Sequence, residues 1–454
     1  MTVRAVSEHR ATSPAGGIVR RAARNLAYLT GGKSVSGLLS LIYLAVAVQT
    51  LGIDVYGQLI LIYSFAQLVT AIVQFQTWQP ILHFGTAAIA EDRLGDFRSL
   101  VRFAVGLDAA SSLVGMAVVA GGIWLVGPHI DLPPETLPFA SGFALAVPFM
   151  AWATPNGLLR LFDRFDLLLL EDNVEAAVRL AGSLLVLALG GGLVGFVLVW
   201  AASVVASGSA CALLAWREVR RRNLWAREDA PGAPVAQRFP GIWAFIWSTN
   251  FNSTLKLARP HLTTLLIGGA LESVQAGLFR VAQQIADALA TPLKLMVPVI
   301  YPELARLVAA RDFDLLRAVS RRTLVWSGLG AVATFAALAA LGPLLLDIIG
   351  GDEADGAYGM LLLLSAAALI RISGFSLEPM LISLGHPSLA LAVQTTATVI
   401  YFPALLLLLA YFSFNGAGFA AIGAATLTVL LQLAAVAYWF PAEAPAAAAQ
   451  EARS

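Results

Sequence analysis

A chain of 454 residues that is 58% hydrophobic and only 13% charged cannot coat its own surface with polar groups, because soluble domains keep about a quarter of their residues charged. That balance, with a mean hydropathy of +0.77, excludes a water-soluble enzyme or binding module and makes the bilayer the natural solvent. The net charge of +1 excludes the global basic bias of a nucleic-acid binder, and with Cys211 as the only cysteine there is neither a disulfide nor a Cys/His metal cluster.

A membrane helix needs about 20 mostly apolar residues. After a basic tail, 1–25, the first two runs of that length are 26–51 and 56–78. The first run is too long for a signal-peptide core and contains Lys33, so it reads as a retained span. The runs 101–126, 138–159, 168–189 and 193–216 follow. A charged segment with Pro231, Gly232 and Pro234 occupies 217–240 and reads as a cytoplasmic linker. Beyond it lie 241–267, 274–300, 323–346, 357–383, 388–411 and 416–440, and the Ala-, Glu- and Pro-rich end, 441–454, reads as a disordered tail. The expected fold is all-α and polytopic, with about twelve transmembrane helices and no metal or cofactor.

The basic residues set the orientation. The tail and the second, fourth, sixth and eighth connections hold the arginines, among them Arg93, Arg98, Arg160, Arg164, Arg217, Arg220, Arg306 and Arg322. The odd connections hold no Lys or Arg and carry Asp54, Asp131, Glu135, Glu272, Asp347, Asp352, Glu353 and Asp355. Positive loops stay cytoplasmic, which puts both termini in the cytoplasm; the expected location is a bacterial inner membrane.

An internal repeat divides the spans into two six-helix bundles, 26–216 and 241–440. Leu51-Gly52 and Tyr56-Gly57 join the first two spans, and Gly268-Gly269 and Ala276-Gly277 do the same after the linker. The second span of each half ends near a proline, Pro80 or Pro298, and a charged stretch follows with Asp96-Phe97 in one half and Asp312-Phe313 in the other. Repeats of equal topology imply a pseudo-two-fold axis along the membrane normal, with a site between the halves.

Ionisable residues within spans are costly and mark function. The cations are Lys33, Arg179, Lys256, Arg259, Arg280, Lys294 and Arg371, against the acids Asp108, Glu175, Asp287 and Glu378. Arg280, Asp287 and Lys294 recur every seven residues and form one helical stripe, flanked by Gln283 and Gln284. Lys256 and Arg259 share a face of the seventh span, whose polar start includes Asn250 and Asn252, and Pro260 opens its backbone toward a cavity. The expectation is a water-filled cavity with excess positive charge, for an anion such as a phosphate or diphosphate headgroup. Two alternatives stand beside it. Glu175 with Arg179, and Arg371 with Glu378, have the spacing to neutralise each other, and Lys33 and Lys294 lie where snorkelling to the interface is open to them. His83 and His261 read as packed or interfacial. The four acids are the candidates for coupling to protons or sodium.

Twelve spans in two halves, Leu51-Gly52 before Tyr56-Gly57, and the run Gly157-Leu158-Leu159-Arg160-Leu161-Phe162-Asp163-Arg164-Phe165 together resemble the polysaccharide-transporter branch of the multidrug/oligosaccharidyl-lipid/polysaccharide flippase superfamily. The likeness extends to about residue 440. It implies a V-shaped pair of bundles, alternating access, and export of a polyprenyl-diphosphate-linked oligosaccharide such as an O-antigen or exopolysaccharide repeat unit. It also implies membrane lipids and polysaccharide polymerase machinery as partners. The cationic cavity rests on the residues and not on a strict motif of that family. The rival within the superfamily is a drug or organic-cation antiporter, which should favour an acidic cavity. An enzyme is disfavoured by outer connections too short to hold a catalytic domain, and a pure assembly scaffold by the buried cations.

Overall fold

The computed structural model describes residues 14–225, 234–294 and 313–439, with side chains from residue 35 onward except 252, 289–294, 313, 314, 316, 317 and 439. The tail 441–454, much of the expected linker and the side chains of Lys33, Asn252 and Lys294 lie outside the described residues. Among the described residues every regular element is helical.

The opening helix, Pro14–Val73, is two limbs split at Gly52, whose backbone sits at φ 76° and ψ 162°. Glycine takes that region without a Cβ clash. Tyr43 and Tyr63, on opposite sides of the break, both place their rings edge-on to Trp200, with centroids 6.3 and 5.0 Å away. The limbs therefore fold back side by side, as expected for the spans 26–51 and 56–78, although the second ends at Val73.

Two expected spans are not continuous helices. The run 138–159 breaks into Leu137–Gly142, a tight turn at Phe143–Ala146, Val147–Met150 and Thr154–Leu161. Pro138, Pro148 and Pro155 begin three of these pieces, and each removes an N–H that a longer helix would need. The run 357–383 divides into Tyr358–Ser373 and Leu377–Ser383. The remaining expected spans appear as Leu94–Val126, Phe165–Ala188, Leu193–Arg221, Ile242–Ala270, Ser273–Lys294, Phe313–Gly350, Pro387–Phe412 and Asn415–Trp439.

Seven helical segments among the described residues are long and apolar enough to cross a membrane, and two of them, Val35–Val73 and Ala318–Ser383, exceed one crossing at 39 and 66 residues. Phe165–Ala188, Ile242–Ala270 and Ser273–Lys294 fall outside these seven. They carry charges in mid-helix, and they are the helices that wall the cavities described below. Leu125, Leu145 and Leu189 are each more than 70% exposed on the outer faces, which only a lipid surround makes favourable.

The two ends of the molecule differ in charge. At one end the resemblance run forms a tight turn, with Asp163 at φ 58°. Arg164 pairs there with Glu218, Arg222 lies 4.6 Å over the Phe162 ring, and Arg238 reaches Asp96 at 3.1 Å. At the other end the acidic connections meet. Asp54 accepts from the Ser273 hydroxyl at 2.6 Å, Asp131 from the Ser273 N–H at 2.7 Å, and Glu353 from the Ile53 N–H at 2.9 Å. Gly57 and Gly277 of the proposed repeat lie within this contact. A Cβ on Gly277 would come 2.8 Å from the Ile53 carbonyl oxygen and 3.3 Å from the Gly57 Cα, so the two hairpins touch backbone to backbone. The largest buried cluster, from Leu44 and Tyr56 to Phe279 and Leu361, packs beneath this end.

Candidate functional site

The first cavity, of about 490 Å³, opens among Ile242–Ala270, Ser273–Lys294, Tyr358–Ser373 and Pro387–Phe412. Lys256, Arg259 and Arg371 line it, against Asp287 as the one carboxylate among the described residues. Their convergence follows from local structure. Lys256 and Arg259 lie less than one turn apart on one helix face, and Pro260 lacks the N–H that would bond the Lys256 carbonyl, which loosens the backbone at that point.

Each cation is held differently. Arg259 lies 4.4 Å over the Tyr401 ring, whose hydroxyl shares a 3.1 Å hydrogen bond with Thr263. Lys256 meets Glu378 at 3.5 Å, with the two side chains 48% and 39% exposed. A pair that open contributes at most about 1 kcal/mol, so an incoming anion can displace Glu378. Arg371 forms no ion pair among the described residues. The seven-residue spacing that suggested Arg371 with Glu378 is therefore corrected: the helix breaks after Ser373 and Glu378 turns to Lys256 instead.

The second cavity, of about 390 Å³, lies between the opening hairpin, Phe165–Ala188 and Ser273–Lys294. Its charged lining is Asp172, Glu175, Arg179, Arg280 and Asp287. Asp287 borders both cavities, which makes Ser273–Lys294 the partition between them. The expected stripe holds for Arg280 and Asp287. Gln283 faces the first cavity and accepts from Arg280 at 3.2 Å, while Gln284 faces the second and donates to the Ser40 carbonyl at 2.8 Å. Asn250 is buried and lines neither cavity, and its Oδ1 has no hydrogen-bond partner among the described residues.

Arg179 is only 6% exposed and is occupied. It pairs with Glu175, donates to the Tyr43 hydroxyl at 3.2 Å and lies 4.7–5.5 Å from the rings of Tyr43, Tyr63 and Trp200. This is the self-neutralised alternative, although Arg179 still borders the second cavity. Removing Arg179 would leave a cavity among these rings and strip Glu175, 34% exposed, of its partner, at a cost of about 1–3 kcal/mol. Arg179→Ala should therefore lower the thermal unfolding temperature in detergent markedly, and an unchanged transition would refute this structural role.

Asp108 has a structural role. Its carboxylate is 1% exposed and accepts from the Thr77 hydroxyl and the Thr154 N–H, both at 2.8 Å, stitching the break after Val73 to the start of Thr154–Leu161. Asp108→Asn keeps an acceptor for the Thr154 N–H, so transport should survive it. Complete loss of transport in a stably inserted Asp108→Asn protein would restore Asp108 as a titrating acid.

His83 is stacked on Phe245 at 4.8 Å and His261 lies edge-on to Tyr63 at 6.3 Å, both packed as expected. Tyr401, Gln394 and Thr263 line the first cavity and were missed by a search confined to ionisable residues. Gln394 and Tyr401 interrupt the otherwise apolar run 388–411 together with Thr395, Thr396 and Thr398, a pattern that a search for all polar residues within spans would have caught.

A family profile described as polysaccharide biosynthesis protein matches residues 22–308. Inner membrane protein YghQ of Escherichia coli (strain K12) is 32% identical over 350 residues, covering 76% of this chain and 97% of YghQ. Among solved structures, the inward-facing conformation of a multidrug resistance MATE family transporter of the MOP superfamily superposes with a TM-score of 0.68 at 14% identity, over 90% of this chain and 100% of that one. The outward-facing conformation of such a transporter gives 0.65 at 13% identity, over 92% and 94%. At such identities the likeness is one of fold, and it places the chain in the transporter architecture.

Proposed function

We propose, because the chain belongs to the polysaccharide biosynthesis protein family of multi-pass inner-membrane proteins, that it is a flippase for a polyprenyl-diphosphate-linked oligosaccharide. The observation that carries this reading is the convergence of Lys256, Arg259 and Arg371 on one cavity with Asp287 as its only lining carboxylate among the described residues. A dianionic headgroup gains from each of them, since guanidinium forks match phosphate oxygens and the ammonium adds a point charge. An organic cation would meet the same three charges as a barrier, so the drug-antiporter reading is disfavoured.

In the proposed cycle the arginine-rich end is cytoplasmic and the acidic end faces outward. The carboxylate contacts around Ser273 and Ile53 then close the outer side. The diphosphate enters from the cytoplasmic side, displaces Glu378 from Lys256 and seats against Arg259 and Arg371. The glycan extends toward Arg280 and the second cavity, and the lipid tail stays in the bilayer between two six-helix bundles. Parting of the acidic end releases the headgroup outward, with Asp287, Glu175 or Glu378 available to take up a coupling ion.

A short-chain polyprenyl diphosphate, titrated into the purified protein, tests the headgroup assignment. Binding should weaken steeply with added salt, because exposed charges are screened over about 8 Å at physiological ionic strength, and Arg259→Gln should abolish it. Salt-independent binding retained in that variant would reject the site.

A further inference from the structure

A third cavity, of about 460 Å³, lies away from both charged ones, among Leu94–Val126, Thr154–Leu161 and Leu193–Arg221. Its volume is in the range of small-molecule sites. Its interior is apolar: Asp108 and Thr154 border it, but their polar atoms turn to each other and to Thr77. From Arg102 to Asp108 it spans about 9 Å of helix at 1.5 Å per residue, running inward from the arginine-rich end.

The mouth is built of alternating rings and guanidinium groups. Arg102 lies 5.5 Å from the Trp225 ring, Trp225 meets Trp216 edge-on at 5.6 Å, and Arg220 lies 5.0 Å from the Trp216 ring. Nearby, Arg164 pairs with Asp166 and Glu218, and Arg221 and Arg222 share Glu218, so two carboxylates serve three arginines. Arg102, Arg217 and Arg220 form no ion pair among the described residues, so positive charge is left at the rim. Val105 and Leu213 beside it are 45% and 68% exposed, which puts the opening on the lipid-facing surface.

The geometry points to a binding site for one anionic phospholipid of the cytoplasmic leaflet, its acyl chain in the cavity and its phosphate between Arg102 and Arg220. An apolar slot with a cationic, tryptophan-lined mouth at headgroup depth is complementary to an amphiphile with an anionic head. The cavity holds a limited length of a single chain, and a long polyprenyl tail would leave most of its surface outside. The site is separate from the one that handles substrate. It would add to the contacts of the helix Thr154–Leu161, whose Leu158 and Leu159 already pack in a buried cluster with Ile81 and Phe97.

Gly106 supplies the test, because it lines the cavity and a Cβ there meets no atom within 4 Å. Full-length protein would be titrated with phosphatidylglycerol, phosphatidylethanolamine and a polyprenyl monophosphate, with bound lipids counted by native mass spectrometry. The expected result is at least about tenfold preference for phosphatidylglycerol over phosphatidylethanolamine, lost in Gly106→Phe, which fills the slot, and in Arg102→Gln, which discharges the mouth. Gly106→Ala should keep it. No preference in the unmodified protein, preference that survives both variants, or displacement of phosphatidylglycerol by sub-stoichiometric polyprenyl monophosphate would each overturn the proposal.

Discussion

Replacing Lys256 and Arg259 together by glutamine is expected to reduce translocation of a lipid-linked oligosaccharide by about 10²–10⁴-fold while leaving insertion intact. A hydrogen bond to a charged group contributes about 1.5–3 kcal/mol, and each 1.4 kcal/mol is a factor of about ten, so two such contacts account for the range. The loss should not come from unfolding. Lys256 is half exposed and held only by Glu378 across 3.5 Å, and Arg259 is held in the cavity wall by the face of Tyr401. Arg259→Lys separates charge from shape, because it keeps the charge but loses the planar fork, and it should fall between the two. Translocation within tenfold of the unmodified protein in the double variant, measured in vesicles at equal protein content, would mean that the cavity is not where the headgroup sits.

The second large effect is expected at the acidic end. A Cβ on Gly57 would lie 2.0 Å from the Ser273 carbonyl oxygen, and backbone cannot rotate away as a side chain can. Gly57→Leu should therefore force the two hairpins apart and dissolve the contacts of Asp54, Asp131 and Glu353 with them. On the proposed orientation the outer side can then no longer close, and transport should fall at least about tenfold. A cysteine replacing Gln283, which lines the first cavity, should become reactive toward an impermeant thiol reagent added from outside. Ser273→Ala serves as the milder variant, since it removes only the hydroxyl bond to Asp54, and it should give a smaller increase. Unchanged labelling in both variants would remove the gate assignment.

How much of this could be read from the sequence depended on the range of the interaction. Apolar run length and the placement of arginines against carboxylates are local properties, so the spans and the charge difference between the two ends were legible. The glycines at 52, 57, 268, 269 and 277 were visible as a repeat, and the meeting of Gly57 with Gly277 is a consequence of needing close backbone approach there. The prolines at 138, 148 and 155 were equally visible, but their effect was masked by a hydrophobic run that reads as one span. Pairing between helices was not legible. Arg371 and Glu378 have the spacing to meet on a continuous helix, yet the break after Ser373 sends Glu378 to Lys256, on a helix more than a hundred residues earlier. Asp108 had no partner in its own helix and so looked like a coupling acid, while its acceptors are spent on Thr77 and Thr154. Arg179 was read with both possibilities open, and only the arrival of Tyr43, Tyr63 and Trp200 around it decides between them.

The most direct measurement is a reconstitution. Purified protein is placed in liposomes that carry a fluorescent polyprenyl-diphosphate oligosaccharide in one leaflet, and its appearance in the other is followed in parallel with efflux of a cationic dye. The account predicts protein-dependent translocation of the lipid-linked sugar, lost in the Lys256/Arg259 double variant, with no dye efflux. Dye efflux without translocation of the sugar would contradict it, and would make the cations of the first cavity structural in an exporter of organic cations.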